Sequence, residues 1–382
     1  MDICHKTFKT NQNFLSGKAA RTRGAAVKRP VGQLSHAIVI RVVLLCFVCF
    51  VNITAISAQE PVRIAFWNLE SFFDPFVDST LTYNDFTENG QQHWTKSRFY
   101  RKRNNLYKAI LALSENRPLG IMGVCEVENE YVLVSLFAQT PLKNHNYRWV
   151  HYEGPDRRGI EPAIVYSLDH FMLIESAPIP YNNSAAPESR SRDILYAKFV
   201  SVAEATDTLH VFVNHWPSKY SGELETENSR ACAASLLRAE VDSILAAAPD
   251  GYQPKVIIMG DMNDTPDAAS VHDVLRTRSF DDREEGGLTN LMGKSEGLGF
   301  EGTLKYHSDW QILDQIIVTD GLLKAGEGLH CQEGSARIFH PDFLLENDAT
   351  WHGKKPYRTY VGPRYIGGFS DHLPVYMDLV RY

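Results

Sequence analysis

Short apolar runs recur along this chain from about residue 60 to its end, and most of them lead directly into polar motifs. Each run has the length and the residue types that are typical of a buried strand. The motifs follow one another in this order: Phe66–Glu70, Gly123–Asn129, Asp156–Ala163, Val213–Pro217, Gly260–Pro266, Leu313–Ile316 and Gly367–Pro374. Polar side chains at the ends of many strands can converge, so the pattern predicts a strand-rich fold built around one polar site.

Hydrophobic periodicity predicts the elements between these motifs. Helices are expected at Lys96–Asn116, Glu130–Ala138 and Thr226–Ala248, and a further helix is expected to begin at Thr265 and Pro266. Strands are expected at Val62–Trp67, Gly120–Cys125, Tyr147–Tyr152, Ala163–Ser167, Ile194–Val202, Leu209–Asn214, Lys255–Met259, Ile312–Val318 and Leu373–Leu379. Residues 71–95, 281–305 and 330–366 are polar or Gly-rich and are predicted to form long loops.

The order of these elements predicts an α/β fold. Strands outnumber helices, and the helices fall between groups of strands. This arrangement favours a four-layer α/β/β/α sandwich, in which two mixed sheets pack face to face with the helices outside. No stretch after residue 60 has the composition of a linker, so we predict one domain over residues 60–382.

Charge divides the chain into two unlike parts. Residues 1–58 hold eight of the 39 basic residues and one of the 46 acidic residues, which leaves a net charge of −14 on the remainder. Proteins that bind duplex nucleic acid mainly through counterion release are usually basic. Any nucleic acid bound by the acidic part would therefore need a local basic groove. Arg98, Arg101, Lys102 and Arg103 are one candidate for it, and a solvated helix face is the simpler interpretation.

The first 58 residues have the features of a targeting segment. A basic stretch leads into the apolar run Ala37–Val51, and Ala58 then offers a small residue at a plausible cleavage point. We expect export, with cleavage near Ala58 and a soluble secreted or periplasmic mature protein. Retention as a single N-terminal membrane anchor is the alternative. Cys125, Cys232 and Cys331 are the cysteines beyond this segment, and their odd number argues against a disulfide framework.

Carboxylates and amides at strand ends are the first group of candidate site residues. Asp261 and Asn263 follow an apolar strand, and Asn68 and Glu70 repeat this spacing at the first strand. Strand alternation would place each pair on one face. Glu126 is a carboxylate at the end of another hydrophobic strand. A turn that caps the next element is the structural alternative for these residues, and metal-assisted phosphate chemistry is the functional one.

Asp314 and two histidines form the second group. Asp314 interrupts an otherwise apolar strand, where an unpaired charge would be costly. His372 is its expected partner, and such a pair fixes the imidazole tautomer or raises the histidine pKa. His215 lies at another strand end, where a lone histidine is more often structural.

Together these motifs resemble the endonuclease/exonuclease/phosphatase superfamily, over about Arg63 to Tyr382. The segments His93–Thr95, Pro155–Ala163, Arg192–Leu195 and Lys355–Tyr360 are most similar to a secreted bacterial branch that is usually labelled as endonucleases. The resemblance implies the four-layer fold and a hydrolase that acts on phosphoesters.

The resemblance also implies roles for individual residues. Glu126 would be the principal ligand of Mg²⁺ or Mn²⁺, with Asn68, Glu70 and Asp371 in the metal and water shell. Asp261 would orient or deprotonate the attacking water, and Asn263 would hold that water or a phosphate oxygen.

Four further roles complete this assignment. Asp314 and His372 would stabilise charge on the phosphate, and His215 would contact it. Arg158 would clamp it, because a guanidinium makes bidentate contacts with phosphate. Glu161 is the weakest assignment, as a partner for His215.

Three functions remain open at this stage. The leading one is a Mg²⁺-dependent phosphodiesterase with nucleic acid as its substrate. The abasic-site enzymes of the superfamily have a tyrosine where His215 stands, which argues against abasic-site repair. The second is a phosphatase or phosphodiesterase for a smaller ester, such as a phospholipid head group or an inositol phosphate. The third, a non-catalytic binding module, is disfavoured because every expected polar position is filled. No stable protein partner is implied.

Overall fold

A computed structural model of the protein describes residues 60–76, 83, 85–183, 190–203, 207–324 and 328–381. These residues belong to one compact unit, Gln59–Tyr382. The expected leader over residues 1–58 and its cleavage point lie outside the described residues.

The strands of the first two thirds of the chain include the longest ones. They are β1 Val62–Phe72, β2 Ile121–Val127, β3 Tyr147–His151, β4 Glu161–Ser167, β5 Phe171–Ile179, β6 Ile194–Ser201, β7 Thr208–His215 and β8 Lys255–Asp261. The remaining strands are mostly short. They are β9 Thr277–Ser279, β10 Leu288–Asn290, β11 Leu304–Tyr306, β12 Asp309–Gln311, β13 Asp314–Thr319, β14 Leu329–Cys331, β15 Arg337–Ile338, β16 Leu345–Asn347, β17 Lys354–Pro356, β18 Tyr360–Val361, β19 Arg364–Tyr365 and β20 Val375–Arg381.

The α-helices of the described residues are α1 Lys96–Leu113, α2 Glu130–Leu133 and α3 Glu223–Ala246. Shorter 3₁₀ or π-helical turns lie at Val134–Ala138, Pro141–His145, Lys219–Ser221, Ser270–Val274, Asp320–Leu322 and Asp342–Leu344. Thr95 caps α1, because its side chain accepts a hydrogen bond from the Arg98 amide at 3.3 Å. No helix of the described residues is long and apolar enough to cross a membrane.

Two large mixed sheets form the centre of the fold. The first has the order β14-β20-β1-β2-β4-β3, with β15 also paired to β20. The second has the order β5-β6-β7-β8-β13-β10-β9. β1 and β2 run parallel in one sheet, and β7 and β8 run parallel in the other. The predicted α/β class with two mixed sheets is therefore confirmed.

Alternation along β7 shows how the layers pack. Val211 and Val213 belong to the large core that also contains the first sheet, whereas Phe212 packs with Leu237 and Val241 of α3. A side chain on Gly123 of β2 would lie 2.8 Å from Val213, so the sheets approach closely at this glycine. One face of the second sheet therefore meets the first sheet, and the other face meets α3.

One prediction of secondary structure is wrong, and one strand was not predicted. The chain does not enter an α-helix at Thr265 but makes turns and the short π-helical segment Ser270–Val274. Asp264 accounts for this, because its Oδ2 accepts hydrogen bonds from Arg230 of α3 and from Ser270, both at 2.6 Å, and so fixes the segment by tertiary contacts. The edge strand β5 was not predicted, since many of its residues are exposed or only partly buried and the apolar pattern is weak.

Candidate active site

Five strands bring the predicted polar residues together. Within the first sheet, Asn68 of β1 lies opposite Cys125 of β2, one residue before Glu126. Within the second sheet, Asp261 of β8 lies opposite both His215 of β7 and Asp314 of β13. A hydrogen bond of 3.1 Å from Asn68 Nδ2 to Asp261 Oδ2 then joins the two sheets at this point. The site is therefore built where the ends of both sheets meet.

Irregular backbone directs the carboxylates of the first sheet. The pairing of β1 with β2 shifts between Asn68 and Phe72, and the pairing of β2 with β4 shifts between Val124 and Val127. Glu70 and Glu126 have positive φ angles of 49° and 61°. Bulges of this kind redirect side chains next to active sites. The expected strand alternation of Asn68 and Glu70 is consequently wrong, because the bulge sends the two side chains to different partners.

Asn263 departs from alternation in the same way. It lies beyond the end of β8 with a φ of 50°, and its backbone amide donates to Asp261 Oδ1 at 2.9 Å. Its side-chain amide donates to the Trp216 carbonyl at 3.0 Å. Asn263 therefore ties the turn after β8 to the segment after β7.

Asp314 and His372 are in direct contact. His372 Nδ1 lies 2.7 Å from Asp314 Oδ2, and both side chains are buried. Burial opposes protonation of His372, but Asp314 and Asp261 raise its pKa well above the usual value. Asp314 Oδ1 is buried without a hydrogen-bond partner. The imidazole is therefore held by Asp314 with its Nε2 directed towards Asp261, at 3.7 Å.

Asp261 occupies the centre of the site. Burial, together with the nearby charge of Asp314, raises its pKa to about 7 against the opposing effect of His372. A carboxylate that titrates near neutral pH can accept a proton from a water molecule. Asn68 and the Asn263 amide hold its two oxygens.

His215 faces the same carboxylate from the other side. Its Nε2 lies 3.7 Å from Asp261 Oδ2 and 3.8 Å from Glu126 Oε1. Burial and the cations Arg192 and Arg158 lower the pKa of His215 well below the usual value, so the ring is neutral. The two histidines of the site thus differ in charge, since His372 is cationic and His215 is neutral.

Arg158 lies at the edge of the site and is partly exposed. Its backbone amide donates to Asp156 Oδ1 at 2.8 Å, and its Nε lies 3.5 Å from the same atom. Burial lowers the pKa of Arg158, but attraction to Glu126 and Asp156 outweighs burial, so the pKa is raised above its usual value. The expected pairing of Glu161 with His215 is not found among the described residues, because Glu161 accepts from the Asp156 amide and Arg192 contacts the His215 ring.

A second cluster of charges surrounds Glu70 and Asp371. Glu70 accepts hydrogen bonds from the Thr359 amide at 2.6 Å and from Arg358 Nε at 3.3 Å. Arg358 also donates to Asp371 Oδ2 at 2.8 Å. Lys102 is buried, and its Nζ lies 3.8 Å from Glu70 Oε2. Both cations interact electrostatically with Glu70, Asp371 and also Glu126, which places the three carboxylates around one region.

The donor set of this region fits a hard divalent cation. Glu126 accepts a hydrogen bond from the Ser71 amide at 2.6 Å through Oε2, and Asp371 accepts one from Arg358 through Oδ2. The other oxygen of each carboxylate takes no part in these two bonds. Oxygen ligands of this kind suit Mg²⁺. Glu70 fits less well as a direct ligand, because the segment 358–360 already donates to its oxygens.

A different group of ligand atoms lies at the other end of the site. Asp261, Asp314 and His372 each offer one such atom, and these atoms lie within 4.8 Å of one another. His372 Nδ1 already lies at hydrogen-bond distance from Asp314 Oδ2, at 2.7 Å, so two of these ligand atoms are engaged with each other.

The sequence did not predict the contacts that three cations make with the acids and histidines of the site. These cations are Lys102, Arg192 and Arg358. Arg192 and Arg358 lie in segments whose resemblance to the bacterial branch is noted above, but no local pattern links them to distant histidines or acids. The sequence predicts Lys102 either in a local basic groove or on a solvated helix face. It is 1% exposed, so it belongs neither to a solvated face nor to an open groove.

Comparisons with known proteins agree with this architecture. The family model described as the Endonuclease/Exonuclease/phosphatase family matches residues 63–381. No curated protein matches the chain.

Several solved structures are similar. One is a functionally unknown conserved protein from Enterococcus faecalis V583, at 16% identity and a TM-score of 0.52, covering 84% of this chain and 100% of that one. Another is the mannosyl-6-phosphatase Bt3783 of Bacteroides thetaiotaomicron VPI-5482, at 15% identity and a TM-score of 0.51, covering 84% and 99%. A third is ANGEL2, a 2',3'-cyclic phosphatase, at 13% identity and a TM-score of 0.52, covering 84% and 96%. At such identities the likeness shows a shared fold.

Proposed function

The chain belongs to the endonuclease/exonuclease/phosphatase family, whose members hydrolyse phosphoesters, and from this premise we propose that it is a Mg²⁺-dependent phosphodiesterase. The observation that carries the proposal is the contact between Asp314 and His372 beside Asp261. These residues combine a cationic imidazole with a carboxylate whose pKa is about 7, which are the groups needed to activate water and stabilise a phosphate oxygen.

The family generally uses a divalent metal, and we assign Mg²⁺, or Mn²⁺, to Glu126 and Asp371. Asn68 would contribute to its water shell, and Glu70 would act from outside by holding Arg358 in place. When bound, the ion supplies positive charge that stabilises the phosphoryl oxygens in the transition state.

The chain's own residues then have separate tasks in the reaction. Asp261 orients the attacking water and accepts its proton as the water oxygen bonds to phosphorus and the P–O bond to the leaving group breaks; the departing oxygen is then protonated by solvent water. Protonated His372, held by Asp314, donates to a phosphate oxygen as negative charge builds up. His215 is neutral and donates a hydrogen bond to the phosphate group, while Arg158 binds a further oxygen from the edge of the site.

Nucleic acid is the first substrate to test. The similarity of four segments to a secreted endonuclease-like branch supports this choice, as does the expected export. The acidic charge of residues 59–382 means that affinity would come from the site and not from a broad basic surface.

A small phosphoester is the second candidate. One observation favours it: Arg158 and Arg358 are partly exposed at the site, with 38% and 40% of their side chains accessible, although residues 59–382 are acidic as a whole. Such a site can neutralise one phosphate group without further contacts to a polymer. Structural similarity to a sugar phosphatase and to a cyclic phosphatase is compatible with this candidate.

A substrate panel tests the proposal directly. Purified protein with Mg²⁺ would be offered duplex and single-stranded DNA, RNA, a phosphoinositide, sphingomyelin and an aryl phosphodiester. We expect hydrolysis of at least one diester, complete loss in chelator and recovery with Mg²⁺ or Mn²⁺. The His372→Ala protein, prepared in parallel, controls for contaminating nucleases. Full activity after exhaustive chelation would contradict the metal assignment.

We also propose export to the periplasm or the medium, with cleavage near Ala58. The basic and apolar leader supports this proposal. Amino-terminal sequencing of protein from its native compartment should begin close to Gln59. An intact leader on a soluble cytoplasmic protein would show that the segment is not a signal peptide.

A further inference from the structure

Arg192 is a buried cation that has no role in the reaction described above. It lies two residues before β6 and is 7% exposed, although Arg190, two residues earlier, is exposed. Placing a guanidinium in such a position is costly unless its donors are satisfied. Its contacts therefore indicate what the residue does.

The first contact is with the His215 ring. Arg192 Nε lies 3.2 Å from His215 Nδ1, and Arg192 Nη2 lies 2.5 Å from His215 Nε2. A neutral imidazole accepts at one nitrogen only, so these cannot both be hydrogen bonds. Asp261 and Glu126 lie 3.7 and 3.8 Å from Nε2, beyond hydrogen-bond distance, so Arg192 is the nearest polar neighbour of both ring nitrogens. The guanidinium therefore holds the His215 ring along the edge that carries these nitrogens.

The second contact is with Asp156. Arg192 Nη1 lies 3.5 Å from Asp156 Oδ2, while Asp156 Oδ1 accepts from the Arg158 backbone amide. Asp156 belongs to the loop between β3 and β4 of the first sheet, whereas His215 belongs to the second sheet. Arg192 thus connects a histidine of one sheet to the arginine-bearing loop of the other.

We propose that Arg192 is a positioning residue, which fixes the orientation of the His215 ring in the site and, through Asp156, holds the loop that carries Arg158. This inference rests on the proposed function, because it assumes that His215 and Arg158 act on a phosphate. It adds a residue that acts through others and does not itself touch the substrate.

A double-mutant cycle tests the role in catalysis. We expect Arg192→Gln to lower kcat by about 10²-fold, the usual scale for a misplaced catalytic group. In a His215→Ala background the same substitution should cost about threefold or less, because the residue it positions is already absent. Arg192→Lys keeps the charge but has a single donor group, and it should lie between wild type and Arg192→Gln. Arg190→Gln, an exposed arginine two residues away, is the matched control and should be unchanged.

Two results of the cycle would overturn the proposal. One is an equal loss from Arg192→Gln with and without His215, which would mean that the two residues act independently. The other is wild-type activity in Arg192→Gln. If Arg192→Gln does not fold by circular dichroism, Arg192→Lys enters the same cycle. Failure of both variants to fold would assign Arg192 to the stability of the fold and would also overturn the positioning role.

A measurement without substrate separates this inference from the proposed function. Nitrogen-15 NMR of the histidine rings, with His215 assigned by comparison with His215→Ala, should show a single neutral tautomer of His215 in the wild type. Arg192→Gln should lose the fixed tautomer. A wild-type His215 ring that exchanges between the two tautomers would refute the geometry. An inactive wild type that nevertheless shows the Arg192-dependent tautomer would count against the proposed function and not against Arg192.

Discussion

The two histidines of the site face one carboxylate from opposite electrostatic surroundings. His372 and His215 each place Nε2 at 3.7 Å from Asp261 Oδ2. On the His372 side the neighbours are Asp314 and Asp371, and the histidine pKa is raised. On the His215 side the neighbours are Arg192 and Arg158, and the histidine pKa is lowered.

The comparison teaches that burial alone does not fix the charge of a histidine. Burial opposes protonation of both rings, and neighbouring charges reverse that effect for His372 and reinforce it for His215. The site thereby obtains one cationic donor and one neutral donor from the same residue type. Similar division of roles by environment is a general way to obtain acid and base chemistry from one fold.

The largest expected effect comes from the His372 side. Asp314→Asn and His372→Ala should each lower turnover by roughly 10²–10⁴-fold, the scale of a positioned acid–base group. The double mutant should be little worse than the worse single mutant, because both changes remove the same contribution. Turnover would be measured for all three variants, with circular dichroism to check folding.

Asp309→Asn is the control for that cycle, since Asp309 is an exposed carboxylate shortly before Asp314 in the chain. It should leave turnover unchanged. Fully additive losses, or near wild-type turnover in either single mutant, would show that Asp314 and His372 are not a functional pair.

A smaller effect is expected when each histidine is replaced by glutamine. Glutamine keeps a neutral donor but cannot carry a charge. His215→Gln should therefore cost about tenfold, less than the roughly 10²–10³-fold typical of losing a donor altogether. His372→Gln should be as damaging as His372→Ala. Steady-state turnover of the two glutamine variants tests this difference. Equal losses at both positions would show that the two histidines do not act in different charge states.

The smallest effect is on stability, and its sign differs between the two histidines. The pKa of folded His372 lies above the unfolded value near 6.5, so its contribution is present below that pH and is lost as pH rises through the folded pKa. The pKa of folded His215 lies below the unfolded value, so its contribution is present above pH 6.5 and is lost as pH falls towards the folded pKa. Each slope is limited to about 1.4 kcal/mol per pH unit for one proton.

Urea denaturation at several pH values, with chelator present, would measure these slopes. Relative to wild type, His372→Gln should remove a loss of stability above pH 6.5, and His215→Gln should remove a loss below it. The same pH dependence in both variants would mean that the surroundings of the two rings do not differ as described.

Much of the fold could be predicted because its signals are local. Apolar runs such as Lys255–Met259 identify strands directly, and the stripe of Phe99, Leu106 and Ile110 identifies α1. The missed strand β5 is half exposed and has little apolar pattern. The helix wrongly predicted at Thr265 shows the limit of local signals, because contacts of Asp264 with α3 override them.

The sequence predicts which residues form the candidate site but not the direction in which their side chains point. Asp314 was singled out because a carboxylate in an apolar strand needs a partner, and the structure places it 2.7 Å from His372. Glu70 was assigned to the metal from its spacing to Asn68. The bulge in β1 instead turns its carboxylate to the segment 358–360. Spacing cannot reveal such a bulge, because no residue type in the motif requires it.

By itself the sequence determined which residue types reach the site, since strand ends follow from hydrophobic pattern and each motif lies next to such an end. The charge state of each group was decided only by the tertiary structure. Arg192 is 23 residues from His215 in the chain and Asp314 is 58 residues from His372. The pairing of β6 with β7 brings the first two together, and the packing of the two sheets brings the second two together. A pKa depends on what lies within a few ångströms, and that neighbourhood is assembled from distant segments.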